Sequence, residues 1–414
     1  MLISTPAQSQ VIPLTELIKQ ALSSHPSVHS QEFLVSVAKA EIDGARWQYF
    51  PTPAVSIQQV GANSSDVSYQ GDSRVSTLSL SQPLWTWGRL SAGMDKAQAQ
   101  EFIAVASYEE TKLQLALRVL QNYGEWFSAY RKRVAYEKGL ELHERLKAQA
   151  NRRMEAGQAA PVDLAFAQGR LATMQAEMAA SQTQEQISLA RLSQLVGHTL
   201  DSNALTTTQP QAIAMTILPA QLLIQADASS PTLARYRGQA QLQLAAMKEQ
   251  KASILPEVSL KLERQYGNFN YLGSETQTRA FVGLNSNFGA GLSKQAALVE
   301  ATHRYSSALT DIETQQRTLV EVILADYTLL MRADARRQAL QQAADLSDQV
   351  LASSDRQYLS GRKTWQDLMN IAREQVQTQL QLADMDASQL VATWRIALLT
   401  EGLANTLGQA KAFP

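Results

Sequence analysis

The chain has 414 residues, a formal net charge of −1 and no cysteine. A charge so near zero gives no reason to expect a nucleic-acid partner or a polybasic anchor. The lack of cysteine excludes disulfides, thiolate metal sites and a lipidated N-terminal Cys. Ala, Leu, Gln and Ser dominate while Gly and Pro are few, a composition suited to long helices. No run of ~18 apolar residues occurs, so no transmembrane helix is expected. Residues Met1 to Pro6 lack the basic and apolar regions of a signal peptide, which leaves two readings open: a cytosolic chain, or one already trimmed.

From Leu14 to about Tyr49, Leu14, Leu17, Ile18 and Leu22 fall at helical spacing until Pro51 and Pro53 stop the pattern. Val55 and Ile57 then alternate with Ser56 and Gln58, and Leu78 and Leu80 with Ser79 and Ser81. This predicts a β-hairpin over about 54–84 around a polar loop, Gly61 to Asp72. Residues 88–155 contain no proline and predict one helix, roughly 100 Å long at ~1.5 Å per residue. Leu113, Leu117, Leu120, Phe127, Tyr130 and Val134 form a coiled-coil seam along it. Gly157 closes this helix, and Pro161 opens a return helix over 161–197.

A Pro/Thr/Gln-rich linker, 198–228, leads to a second hairpin over about 257–288. There Val258, Leu260 and Leu262 oppose Ser259, Lys261 and Glu263, a loop runs from Tyr266 to Gly273, and Ala280, Val282 and Leu284 oppose Phe281, Gly283 and Asn285. A second long helix is predicted over 291–360, with a seam at Leu309, Ile312, Leu319, Ile323, Tyr327 and Leu330. Gly361 ends it, and Thr364 with Asp367 forms a capping-box pattern opening a return helix over 364–407.

The breaks recur. Pro26 matches Pro231 and Pro51 matches Pro256, each 205 apart (231 − 26 and 256 − 51); Gly157 matches Gly361 at 361 − 157 = 204. Shared prolines and glycines imply a shared backbone, so residues 14–197 and 229–408 read as two structural repeats. Four strands with one wet face leave open edges in lipid, and closure needs about eight strands or more. Three copies of four strands supply 12 (3 × 4). Tyr49, Phe50, Trp85 and Trp87 cluster at the strand–helix junctions, where an aromatic girdle belongs.

The layout resembles the TolC family of outer-membrane efflux and secretion channels over essentially the whole chain. The residues that carry it are His25-Pro26, Tyr49-Phe50-Pro51, Ser81-Gln82-Pro83-Leu84-Trp85 with Gly88-Arg89, and Glu155-Ala156-Gly157 with Asp163-Leu164. Leu195-Val196-Gly197, Tyr358, Ser360-Gly361, Asp367-Leu368 and Leu407-Gly408 complete the set. The resemblance implies a mainly α fold with a β-barrel portion: a homotrimer whose 12-stranded outer-membrane barrel continues into a long periplasmic α-helical barrel of a Gram-negative cell. It implies a passive exit duct with outer-membrane lipid around it, a periplasmic adaptor, and an inner-membrane transporter, ABC type favoured over proton-driven.

By the same resemblance, Tyr358, Lys363 and Asp163 match tip positions that lock the periplasmic end, with Tyr358 and Lys363 donating to Asp163 of a neighbouring helix pair. Asp367 implies an acidic ring at the aperture; a second ring one turn on is missing, because Asn370 stands there. Gly157 and Gly361 mark adaptor-docking tips. The bland alternative makes these residues exposed tips, helix stops and a carboxylate favoured by a helix N-terminus.

No nucleotide, dinucleotide, hydrolase or zincin motif occurs, so no catalytic residue, cofactor or metal is expected. His25 and His29 lack a third ligand. Among ducts, type I secretion of a protein such as a large adhesin is favoured, on the absence of an N-terminal Cys and the short stretch after Gly408. Multidrug efflux is the alternative, and a soluble coiled-coil scaffold the remote one.

Overall fold

The computed structural model describes residues 11–61, 71–205, 218–271, 276–287 and 289–408. Most of loop 61–72, the end of loop 266–273, Phe288 and linker residues 206–217 therefore lie outside the described residues, as do Met1 to Pro6. The order is α1 (Leu14–Ser24), α2 (Pro26–Trp47), β1 (Thr52–Gln59), β2 (Arg74–Trp85), α3 (Arg89–Glu155) and α4 (Pro161–Val196). Then come α5 (Pro219–Ser229), α6 (Pro231–Ala252), β3 (Glu257–Tyr266), β4 (Gln277–Asn285), α7 (Ser293–Leu359), α8 (Trp365–Thr400) and α9 (Leu403–Thr406).

Three boundaries differ from the sequence reading. The helical pattern over 14–49 is two helices, broken at His25, whose extended backbone (ψ 126°) turns the chain. Its Nδ1 accepts from Ser27 N at 3.2 Å, so the imidazole caps α2. The second return helix stops at Thr400, because Gly402 at φ 80° breaks it before α9. The supposed linker contains α5, the counterpart of α1. Leu222 and Ala226 are buried where Leu17 and Ala21 are (222 − 17 and 226 − 21 both give 205). Ser24 Oγ donates to Val196 O and Ser229 Oγ to Leu399 O, both at 2.8 Å.

The chain divides into two compact units, each drawing on both repeats: residues 1–29, 110–230 and 317–414 form one, and 30–109 with 231–316 the other. Among the described residues the first is helical apart from a single Ile12–Leu205 bridge. Trp126 and Phe127 on α3 are fully buried in it; truncating such a side chain costs about 3–5 kcal/mol. Gly124 on the same helix admits Val391 of α8 so closely that a Cβ would collide with its Cγ2.

The second unit carries the sheet, an antiparallel meander in the order β1-β2-β3-β4. Directly opposed residues share a face. The rows Pro53–Leu80–Leu262–Ala280, Val55–Leu78–Arg264–Thr278 and Gln82–Leu260–Val282 lie on one side. Ala54–Ser79–Glu263–Arg279, Ser56–Thr77–Gln265–Gln277 and Thr52–Ser81–Lys261–Phe281 lie on the other. One face is thus mainly apolar and the other mainly polar. Beyond the strands, Gly71 N and Asp72 N donate to Phe269 O (2.6 Å) and Asn268 O (2.7 Å), joining the two hairpin loops.

Candidate functional site: pore strands and helix tips

The apolar face of the sheet is exposed: Val55, Ile57, Val282 and Leu284 each show 65–73% of their surface. Leaving such side chains in water costs about 1.5–3 kcal/mol each relative to burial, so this face calls for an apolar solvent. The opposite face holds Ser, Thr and Gln with an ion pair, Lys261 Nζ to Glu263 Oε2 at 3.0 Å. No strand pairs with the outer edges of β1 and β4 among the described residues. In a four-strand meander those edges run antiparallel, so they are complementary for edge-to-edge pairing of copies with the polar faces on one side. Among the described residues no helix is long and apolar enough to cross a membrane.

The junction aromatics flank strands β1 and β2. Tyr49, Phe50, Trp85 and Trp87 are all 41–57% exposed. Trp85 meets Trp87 edge-on with ring centroids 5.9 Å apart, Gln82 Nε2 donates to Tyr49 O at 3.0 Å, and Trp87 Nε1 donates to Pro256 O at 2.7 Å. Trp87 sits at φ 53°, where the second repeat uses Gly291 at φ 56° (291 − 87 = 204). An L side chain there costs about 1–2 kcal/mol, so the indole is kept against a backbone preference. Sequence reading missed Trp47, 69% exposed and 5.2 Å from the Phe50 ring; its place at the end of a helical pattern hid it among core candidates.

At the other site, the tips are closed by glycines in the left-handed region, Gly157 at φ 68° and Gly361 at φ 74°. Gln158 N donates to Arg153 O and Arg362 N to Gln357 O, at 2.8 and 2.9 Å, the long-range bond of a Schellman stop. The ends of α3, α4, α7 and α8 meet in one cluster that includes Leu146, Ala150, Ala167, Leu351, Leu368 and Met369. Tyr358 belongs to this core at 7% exposure. Its ring lies 5.1 Å from that of Trp365 and 4.8 Å from the Arg153 guanidinium. Burial pushes the Tyr358 phenol above its ordinary range; Arg153 opposes the rise and the Asp163 charge adds to it. Lys363 Nζ donates to the buried Ser354 Oγ at 2.8 Å in its own chain.

Asp367 is exposed and completes the capping box that its spacing from Thr364 suggests. Its Oδ2 accepts from Thr364 Oγ1 at 2.6 Å and from Thr364 N at 3.3 Å, and Asp367 N donates to Thr364 Oγ1 at 3.2 Å. The Thr364 side-chain bond, then its backbone bond, hold the carboxyl below the usual carboxylate range. Asn370 is exposed one turn on, and Asp163 is half-buried in the first turn of α4. The structure thus groups Tyr358 and Lys363 with Ser354, Trp365 and Arg153, and brings Asp163 within electrostatic reach of Tyr358. Arg153 and Ser354 carried no sequence signal, since both read as ordinary polar positions of a long helix.

The model of the outer membrane efflux protein family matches residues 17–198. Solved relatives share the fold throughout: the outer membrane protein VceC from Vibrio cholerae is 18% identical, with a TM-score of 0.80 over 95% of this chain and 96% of that one. Over residues 17–198 the chain is similar to that family, and its fold is the one shared by the TolC-type outer-membrane channels. Among curated relatives, the alkaline protease secretion protein AprF of Pseudomonas aeruginosa is 24% identical over 307 residues, 72% of this chain and 63% of AprF. The nickel-cobalt-cadmium resistance protein NccC of Alcaligenes xylosoxydans xylosoxydans is 27% identical over 202 residues, 48% of this chain and 46% of NccC. The family match and the shared fold place the chain in the outer membrane with a periplasmic extension. The four-strand sheet is its barrel portion, and channels of this family are homotrimers that work with adaptors and inner-membrane transporters.

Proposed function

We propose that this chain is the trimeric outer-membrane exit duct of a tripartite system for type I protein secretion, with a large adhesin as the model cargo. The observation that carries the secretion reading is the alignment with AprF across 72% of the chain, against 48% for NccC. The duct is passive and not an enzyme: an ABC-type inner-membrane transporter supplies the energy, and the adaptor docks at the tips marked by Gly157 and Gly361. Three Asp367 carboxylates ring the aperture. In the closed state Lys363 exchanges Ser354 for Asp163 of a neighbouring helix pair, beside Tyr358. Efflux of drugs or metal ions is the second reading, favoured by the similarity to NccC. Deleting the gene separates them. Loss of a secreted or surface-held protein with unchanged drug and metal tolerance supports secretion. Normal protein export with increased sensitivity overturns it in favour of efflux.

A further inference from the structure

The two repeats bury matching helix positions unequally, and the inequality outlines a seat for a second copy of the chain. Helices α2 and α6 each have 22 residues, starting 205 apart (231 − 26). Helices α3 and α7 each have 67, starting 204 apart (293 − 89). Within the sheet-bearing unit α6 runs antiparallel to α3. A Cβ added at Gly238 would lie 2.7 Å from Phe102 Cδ1 and 2.9 Å from Ile103 Cγ1. Farther along, Lys96 Nζ meets Glu249 Oε2 at 3.3 Å, and Arg89 Nη2 meets Glu257 Oε2 at 3.0 Å.

On α6 this contact uses Gly238, Ala245 and Ala252, one per heptad, and all three are buried. On α3 the buried stripe is Ala92, Ala99, Ile103 and Ala106. The matching positions are Phe33, Ala40 and Trp47 on α2, and Ala296, His303, Ser307 and Thr310 on α7. Every one of them is exposed, Phe33 to 72%. Both bare stripes keep the heptad spacing of the covered ones.

Topology says what covers them. Helix α3 follows β2, α6 leads into β3, and β2 pairs with β3. Helix α7 follows edge strand β4, and α2 leads into edge strand β1. A second copy that adds its β1 to β4 therefore lays its α2 along α7, as α6 lies along α3. Residue sizes agree with that pairing by inversion. Inside the chain the large side chains are on α3 (Phe102, Ile103) and the gap is Gly238 on α6. At the open position the small ones, Ser306 and Ser307, are on α7 and the large one, Phe33, is on α2.

We infer that Phe33 of one copy seats against Ser306 and Ser307 of the next, with Ala40 near His303 and Trp47 near Ala296 completing the seam. This rests on the trimeric reading above and adds its register. Because the large side chain changes helix between the two contacts, α2 fits poorly where α6 belongs, which keeps intra-chain and inter-chain pairing distinct.

The chain has no cysteine, so introduced pairs report cleanly. Phe33→Cys combined with Ser306→Cys, oxidised or treated with a short bismaleimide in detergent, should give dimer and trimer bands. Oxidation products should be reducible, and each single variant should stay monomeric on the denaturing gel. An unlinked double variant that still runs as a trimer by light scattering overturns the seam and leaves the trimeric reading standing. A wild-type protein that is not a trimer overturns both. As a second measurement, Phe33→Gly should lower the temperature at which the trimer dissociates. Adding Ser306→Phe, which copies the Gly238–Phe102 arrangement, should recover at least half of the loss; no recovery counts against the pairing.

Discussion

Asp386 on α8 is the most consequential buried charge of the helical unit. Its side chain is 1% exposed and receives Arg131 Nη2 of α3 at 3.0 Å and Arg337 Nε of α7 at 2.8 Å. Replacing it with alanine leaves two guanidiniums facing one another across a site built for an anion. Removing one partner of a fully buried pair costs about 3–5 kcal/mol. Both arginine side chains keep 33% exposure, so water recovers part of this, and about 3 kcal/mol per protomer is the expected loss. Unfolding entropy near ~2.1 cal/mol/K per residue gives about 0.9 kcal/mol/K for a chain of this length, so Tm should fall by about 3 °C. Asp386→Asn keeps the shape and one acceptor and should lose about half as much. The assay is helical circular dichroism of the detergent-purified protein at matched scan rates, since large membrane assemblies unfold irreversibly. Replacing all three residues by Met and Leu should restore much of the loss, because a packed apolar cluster has no charge to solvate. An Asp386→Ala protein that melts within 1 °C of wild type would falsify the three-helix clamp.

His143 and Asp367 give two further tests. His143 is 1% exposed, with Nδ1 on Gly139 O at 2.8 Å. Burial lowers its pKa, the Gly139 bond partly offsets this, and nearby Arg170 adds to the lowering. Below the unfolded value of about 6.5 the unfolded chain binds the proton more readily, so stability falls as pH drops through that point. His143→Gln should therefore melt with a shallower dependence between pH 7.5 and 5.5; equal slopes would remove His143 as the cause. Asp367→Ala should weaken block of single-channel current by trivalent cations in planar bilayers. In the wild type that block should persist on acidification until pH falls below the usual carboxylate range, since Thr364 favours the ionised form. Unchanged block in the variant would place the cation site elsewhere.

The sheet and the tips were legible because their signals are local. Alternation over Val55 to Gln58 and Val258 to Glu263 names the wet face directly, and a Thr364–Asp367 pair three residues apart can form its capping box without tertiary help. The break at His25 comes from Pro26, which holds the residue before it in extended backbone as Pro231 does at Ser230, and it was passed over because a proline also suits a first helical turn. Helix α5 was hidden for another reason. This short helix is stabilised by Leu222, Ala226 and the Ser229–Leu399 bond against α8, contacts 170 residues apart. The repeat boundary therefore belongs before Pro219, and the Pro/Thr-rich linker is correspondingly shorter.

The tip shows where local legibility stops and packing decides. Read as sequence, Tyr358, Lys363 and Asp163 form one polar set. Folded, Tyr358 is held by Trp365 and Arg153 inside a cluster contributed by four helix ends, while Lys363 and Asp367 lie toward the surface. A rotamer change that freed Tyr358 would leave a cavity costing several kcal/mol. Moving the ends of α3, α4, α7 and α8 together preserves the cluster. Lys363 needs only to trade one hydroxyl for one carboxylate, a gain in charge assistance. The energetics therefore divide the set: Tyr358 keeps the tip rigid, and Lys363 is the member whose bond can be exchanged, as the proposed gate requires.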